Sequence, residues 1–263
     1  MRKDRLLVLL AAFLWLLPLL WSSAAQAQAR SYVNRPLTLE GGQGRIDLGP
    51  PDYGFMDHGA LNDGRGFRFG EVFDGRGRWS YFGAGGAYGI TPQFELGGLL
   101  LPLHLSGDGH FGDMEVYGRY AFSRGGALGL QFTVQLPTDD TLGVGIGLPA
   151  HVRLGGSGRL ETGIELEIME YGLNVDVPAA FMFGVGNIVA LGPRTGLLFV
   201  DIADDRRDAI ALNLGFALVI TPAPVVDLSF SFNWPWFFTS RGPDDMYVDV
   251  WELVFGVNIY LGG

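Results

Sequence analysis

The chain has 263 residues, with 41 glycines, 13% aromatic residues, no cysteine, and 18 Lys+Arg against 28 Asp+Glu for a formal net charge of −10. Without cysteine there is no disulfide framework, thiolate metal site, cysteine nucleophile or lipoprotein attachment residue. The acidic balance argues against nucleic acid as a partner, and the aromatic and β-branched content argues against disorder.

Met1 to Arg5 is basic, Leu6 to Trp21 is almost wholly apolar, and Ser22 to Ala29 is small and polar with two Ala-x-Ala frames. This pattern predicts a signal peptide over 1–29, cut after Ala27 or Ala29. The apolar run is shorter than the roughly 20 residues a spanning helix needs and contains Pro18. Removing the leader takes away three basic residues and one acidic, leaving 15 against 27, or −12. The remaining 30–263 suits one large barrel domain. No later segment is apolar enough for a helical span, so a membrane-embedded mature chain has to be a closed sheet.

Strands are expected at 37–48, 79–90, 94–105, 113–122, 128–136, 144–154, 160–168, 175–185, 194–201, 210–220, 226–234 and 247–261. Their side chains alternate: Met114, Val116, Gly118, Tyr120 and Phe122 oppose Glu115, Tyr117 and Arg119, and Leu130, Phe132 and Val134 oppose Gln131, Thr133 and Gln135. The last strand sets Trp251, Leu253, Phe255, Val257, Ile259 and Leu261 against Glu252, Val254, Gly256, Asn258 and Tyr260. A strand with one wholly apolar face and one polar face fits a barrel with lipid outside and a polar lumen. The prediction is therefore an all-β, transmembrane, antiparallel up-and-down barrel of about 12 strands.

Connections alternate between short turns (91–93, 123–126, 155–158, 187–193, 221–225) and longer, often acidic segments (106–112, 137–141, 170–174, 203–208, 235–246). Short periplasmic turns and longer outer loops produce this alternation, and an even strand count puts both termini in the periplasm. Trp79, Trp234, Trp236 and Trp251 then fall at the outer edge of the bilayer, and Tyr88, Phe94, Tyr120, Phe122 and Tyr260 at the other. Residues 50–78 break the pattern, repeating Asp-Gly-Arg-Gly at Asp63 and Asp74. They read as a long outer loop or gate, with Phe67 to Phe73 a hairpin above the barrel.

The inward face of this threading carries Glu115, Arg119, Gln131, Gln135, His151, Arg153, Glu161, Glu165, Glu167, Asp176, Asn213, Asp227, Glu252 and Asn258, which would line a solute path or fill a closed, hydrogen-bonded interior. Acidic excess favours cations or neutral solutes over anions. Glu161, Glu165 and Glu167 share one strand face and offer oxygen ligands to a divalent cation, although such rows are usually just solvated. His104 and Ser106, two apart at an outer strand end with Asp108, Asp113 and Glu115 nearby in sequence, suggest a lipid hydrolase, but His-x-Ser arises by chance and nothing in the spacing shows an acid completing the set. His110 and His151 have no zinc spacing. The glycine runs Gly83 to Gly89 and Gly143 to Gly147 are followed by no amphipathic helix, so they are not nucleotide loops.

Through Tyr88-Gly-Ile-Thr-Pro-Gln-Phe-Glu-Leu-Gly-Gly98, Glu115-Val-Tyr-Gly-Arg-Tyr-Ala-Phe122 and Gln135-Leu-Pro-Thr-Asp139, the chain resembles the outer-membrane barrels grouped as transporters of the phenol meta-degradation pathway. The likeness covers about 79–263. It implies a barrel passing small compounds, hydrophobic ones among them, and transfers no binding residues. One departure is that such barrels commonly end in an aromatic residue read by the barrel assembly machinery, whereas Tyr260 here is followed by Leu261-Gly262-Gly263. The leading expectation is a passive outer-membrane channel for small solutes that needs no cofactor and has the bilayer and the assembly machinery as partners. The alternatives are the hydrolase and a closed structural or adhesive barrel acting through its outer loops.

Overall fold

The computed structural model describes residues 32–48, 66–72, 78–105, 111–123, 127–138, 142–169, 172–200, 209–239 and 250–262. After one 3-10 turn, Tyr32–Asn34, the described chain forms strands β1 (Gly44–Leu48), β2 (Gly66–Val72), β3 (Arg78–Thr91), β4 (Phe94–His104), β5 (Met114–Ala121), β6 (Gly129–Leu136), β7 (Gly143–Gly147), β8 (Ala150–Leu154), β9 (Gly158–Thr162), β10 (Glu165–Met169), β11 (Gly172–Val185), β12 (Val189–Val200), β13 (Ala209–Ala223), β14 (Val226–Thr239) and β15 (Val250–Leu261). They pair into one antiparallel sheet, which closes because β10 pairs with β7 on one side and β11 on the other. β1 with β2, β7 with β8, and β9 with β10 each share one stave. The fifteen strands thus make the twelve-stave barrel that the alternation predicts.

Alternation sorts the two faces as expected. On β5, Val116 and Tyr120 are exposed while Glu115, Tyr117 and Arg119 are buried; on β6, Phe132 is 55% exposed and Gln131 2%. On β7, Val144 and Ile146 face out between buried Gly143, Gly145 and Gly147. Among the described wall residues, apolar exposure on the outer face with charge buried on the inner, apart from the rim, is the pattern of a wall between lipid and a polar interior.

Five expectations need correction. Only Gly44–Leu48 of the predicted 37–48 strand is sheet. Phe67 to Val72 is not a hairpin above the barrel, because β2 lies in the wall between β3 and β15 and continues the stave begun by β1. Leu48 stands opposite Val257, and Phe67 opposite Phe255. Five residues of β1 cannot cross the wall, and the backbone groups of β3 and β15 beyond it require a partner where water is excluded. Residues 49–65 and 73–77 of the proposed loop or gate lie outside the described residues.

The predicted 187–193 turn is shorter, at 186–188, and β12 begins at Val189 with Pro193 inside it. The β11–β12 register skips Phe181 and Met182, opposite Pro193 and Gly192. Proline donates no ladder hydrogen bond there. A β-carbon on Gly192 would fall 1.7 Å from the Phe181 carbonyl oxygen, so close approach of the two backbones requires glycine. Finally, Tyr260 is not a girdle ring: it is 4% exposed and points inward.

The two staves read as 144–154 and 160–168 are interrupted at Leu148–Pro149 and Gly163–Ile164. Hydrogen bonds from Leu148 N–H to the Ile164 carbonyl (2.9 Å) and from Gly129 N–H to the Pro149 carbonyl (2.9 Å) carry the wall across the break.

Candidate functional site

The candidate site is the lumen. Glu115 and Arg119 project into it from β5, Gln131 and Gln135 from β6, His151 from β8, Glu161 from β9, Glu165 and Glu167 from β10, and Asp176 from β11. Asn213 on β13, Asp227 on β14, and Glu252 and Asn258 on β15 complete the ring. Arg153 is exposed near the end of β8 and reaches the Asn34 carbonyl at 3.1 Å, so it belongs to the short-turn rim.

The sequence did not disclose what fills the short-turn half of this lumen, which is the chain's own segment 32–43. Tyr32, Val33, Leu37, Thr38 and Leu39 are all 5% exposed or less. Tyr32 and Val33 pack with Met182, Ala190, Ala217 and Val219 from β11, β12 and β13. Leu39 packs with Ala87, Tyr117 and Tyr260 from β3, β5 and β15. The segment therefore crosses the barrel's section from one wall to the opposite one.

Charged wall residues hold its backbone and side chains. Arg159 donates to the Tyr32 carbonyl (2.9 Å), pairs with Glu161 and lies 4.3 Å from the Tyr32 ring centroid, while the Tyr32 hydroxyl donates to Glu161 at 2.8 Å. Arg35 donates to Asp227 (2.8 Å) and stacks 4.0 Å over the Tyr260 ring. The same carboxylate accepts from Thr221 (2.6 Å) and Tyr260 (3.2 Å). Arg119 donates to the Leu37 carbonyl (3.2 Å) and pairs with Glu95 (3.3 Å), which accepts from the Leu39 N–H (2.7 Å) and the Tyr117 hydroxyl (3.2 Å). Thr38 donates to the Pro92 carbonyl at 3.0 Å. Buried charges persist only when paired and hydrogen-bonded, and these pairs secure the segment while satisfying that demand.

Toward the long-loop end the lining changes character. Glu165 and Asp176 stand opposite one another on β10 and β11, Glu167 opposite Asn174, and Glu115 faces them from β5. Gly143, Gly145 and Gly147 on β7, between Gln135, Thr133 and Gln131 on one side and β10 on the other, keep the space open. The predicted Glu161, Glu165, Glu167 row does not act together, because the wall breaks at Gly163 and Glu161 is engaged by Arg159 and Tyr32. No group of three or more His, Cys, Asp or Glu among the described residues has the geometry to hold a metal ion.

The sequence reading also missed Glu95, Arg159, Arg45 and Asp47 as lumen residues. Arg45 and Asp47 are joined at 2.6 Å and alternate with outward Ile46, a legible signal. Arg159 hid at the edge of a turn. Of the hydrolase pair, His104 ends β4 opposite Tyr81, and Ser106 lies outside the described residues.

The sequence matches no family model. It matches no curated protein. Solved structures do match the fold. The COG4313 outer membrane channel from Pseudomonas putida F1 superposes with a TM-score of 0.56 at 12% identity, over 87% of this chain and 98% of that one. The KdgM porin in complex with disordered oligogalacturonate gives 0.52 at 8% identity, over 83% and 99%. The NanC porin gives 0.51 at 9% identity, over 74% and 98%. At these identities the likeness is one of fold.

Proposed function

We propose that the chain is a bacterial outer-membrane channel for small solutes, seated with its short-turn end and both termini toward the periplasm once the leader at 1–29 is removed. The observation that carries this reading is the closed wall with lipid-compatible residues outside and charged, hydrogen-bonding residues inside. The architecture shared with channels and porins supports it. The pathway would run past Glu115, Gln135, Glu165, Glu167 and Asp176 at the outer half and past Arg119, Gln131, His151 and Glu161 further in. Segment 32–43 would be the plug that must shift for solutes to pass. A lumen lined with carboxylates supports polar solutes better than the hydrophobic compounds that the family resemblance implies.

The test is single-channel recording and liposome swelling with the full-length folded protein, beside Arg35→Ala, which loosens one anchor of the plug. The channel reading expects conductance that is rare or small in the parent and more frequent in the variant. No current and no swelling from either protein would remove the transport reading and favour a closed structural barrel, leaving the fold intact.

A further inference from the structure

Two separate features of the lumen bear on what kind of solute it takes. The first is a surplus of carboxylates at the long-loop half. In the lumen, the guanidinium groups of Arg35, Arg45, Arg119 and Arg159 are joined to Asp227, Asp47, Glu95 and Glu161, and a fifth, Arg194, is buried on β12. Among the described residues, Glu165 and Glu167 are in no such pair. Glu165 is 5% exposed, and its Oε1 accepts no hydrogen bond although it faces the lumen. Glu167 has one long contact, from Asn174 at 3.4 Å. Asp176 stands opposite Glu165 on β11, and a buried carboxyl oxygen of Glu165 aimed into the lumen offers a cationic group a place to dock.

The second feature is an occupied cation site at the other half. Asp227, 0% exposed, and the face of Tyr260 hold the Arg35 guanidinium between a carboxylate at 2.8 Å and a ring at 4.0 Å. The Pro224 carbonyl accepts from the same nitrogen at 3.5 Å. Carboxylate, aromatic face and carbonyl together recognise a planar organic cation. Here the ligand is supplied by the plug itself.

We propose that the lumen carries organic cations bearing a guanidinium or ammonium group, with Glu165 and Glu167 as the outer binding station and Asp227 with Tyr260 as the inner one, which Arg35 occupies in the plugged state. The inference rests on the channel reading and narrows its substrate class. A metal ion is the poorer candidate, since no group of three or more His, Cys, Asp or Glu among the described residues is arranged to hold one. A flexible organic cation needs only separate carboxylates along its path.

The probe is agmatine, which carries a guanidinium at one end and an ammonium at the other. Its binding to the full-length protein in detergent is measured by calorimetry, with heat-modifiable gel migration confirming that each variant is folded. Binding should weaken about tenfold in Glu165→Gln/Glu167→Gln, the loss of a charge-assisted contact. It should strengthen in Arg35→Ala, where the competing side chain is gone. In recordings under a salt gradient the open channel should prefer K+ to Cl−, and that preference should fall toward unity in the double glutamine variant. No agmatine binding to the parent and Arg35→Ala proteins, or equal binding in the double variant, would overturn the inference. Conductance without cation preference would also sink it and leave the channel intact, whereas agmatine binding without any conductance would remove the channel and keep the cation stations.

Discussion

Arg119 illustrates how single side chains hold the interior together. Its guanidinium reaches Glu95, the Gln131 amide oxygen (2.8 Å) and the Leu37 carbonyl, so one residue joins β4, β5, β6 and the plug. Glu95 is 0% exposed, and removing the cation leaves a buried carboxylate with only the Leu39 N–H and the Tyr117 hydroxyl. Arg119→Met should therefore destabilise the barrel by about 3 kcal/mol, the usual cost of stranding half of a buried pair. The Arg119→Met/Glu95→Gln double variant should recover part of that loss, because no charge is stranded. Urea unfolding in lipid vesicles, followed by tryptophan fluorescence, measures both. Equal midpoints for parent and Arg119→Met would mean that water, not Arg119, neutralises Glu95.

Elements behave differently according to what surrounds them. Strands facing lipid on one side and polar groups on the other announce themselves by period two, and β5, β6, β10, β14 and β15 were legible for that reason. Segment 32–43 was misread because Leu37 and Leu39 alternate with Thr38 and Glu40 as a strand would, yet Leu37, Thr38 and Leu39 are all buried. A segment enclosed by a lumen has no lipid face, so alternation carries no information about it. The Pro36 and Gly41-Gly42 punctuation, with Gly42 at φ 83°, was the available signal that this stretch was not a strand. β2 escaped for another reason: at seven residues it is too short to cross a bilayer alone, and its place in the wall depends on β15, far along the chain. Alternation pointed to most of the inward residues but put the rim residue Arg153 among them, and their division into plug anchors and outer carboxylates depends on a segment that alternation could not place.

The plug can be tested as an element because the chain has no cysteine of its own. A β-carbon built on Gly184 would lie 3.3 Å from a Val33 methyl, which puts a cysteine pair at these positions within disulfide reach. Val33→Cys/Gly184→Cys should cross-link under mild oxidation, close the channel, and recover conductance on reduction. A cross-linked protein that conducts like its reduced form would show that segment 32–43 does not gate the lumen.

At the scale of the whole molecule, one wall separates two solvents, so a substitution's cost depends on which face it meets more than on its residue type. Phe132 and Gln135 lie on the same strand, β6, but Phe132 faces out among Val134, Val144 and Ile146, while Gln135 faces in and donates to Asp113 at 3.2 Å. A positive charge on the lipid face near mid-bilayer costs about 2–4 kcal/mol, and far less where water or carboxylates surround it. Phe132→Arg should therefore lower the stability of the barrel in vesicles by about that amount. Gln135→Lys, placed opposite Glu115, should leave stability nearly unchanged and weaken cation preference. Unfolding midpoints in vesicles and reversal potentials under a salt gradient separate the two effects. If Phe132→Arg were harmless in vesicles while Gln135→Lys unfolded the protein, the apolar face would have to be turned inward, and the channel reading would fall with it.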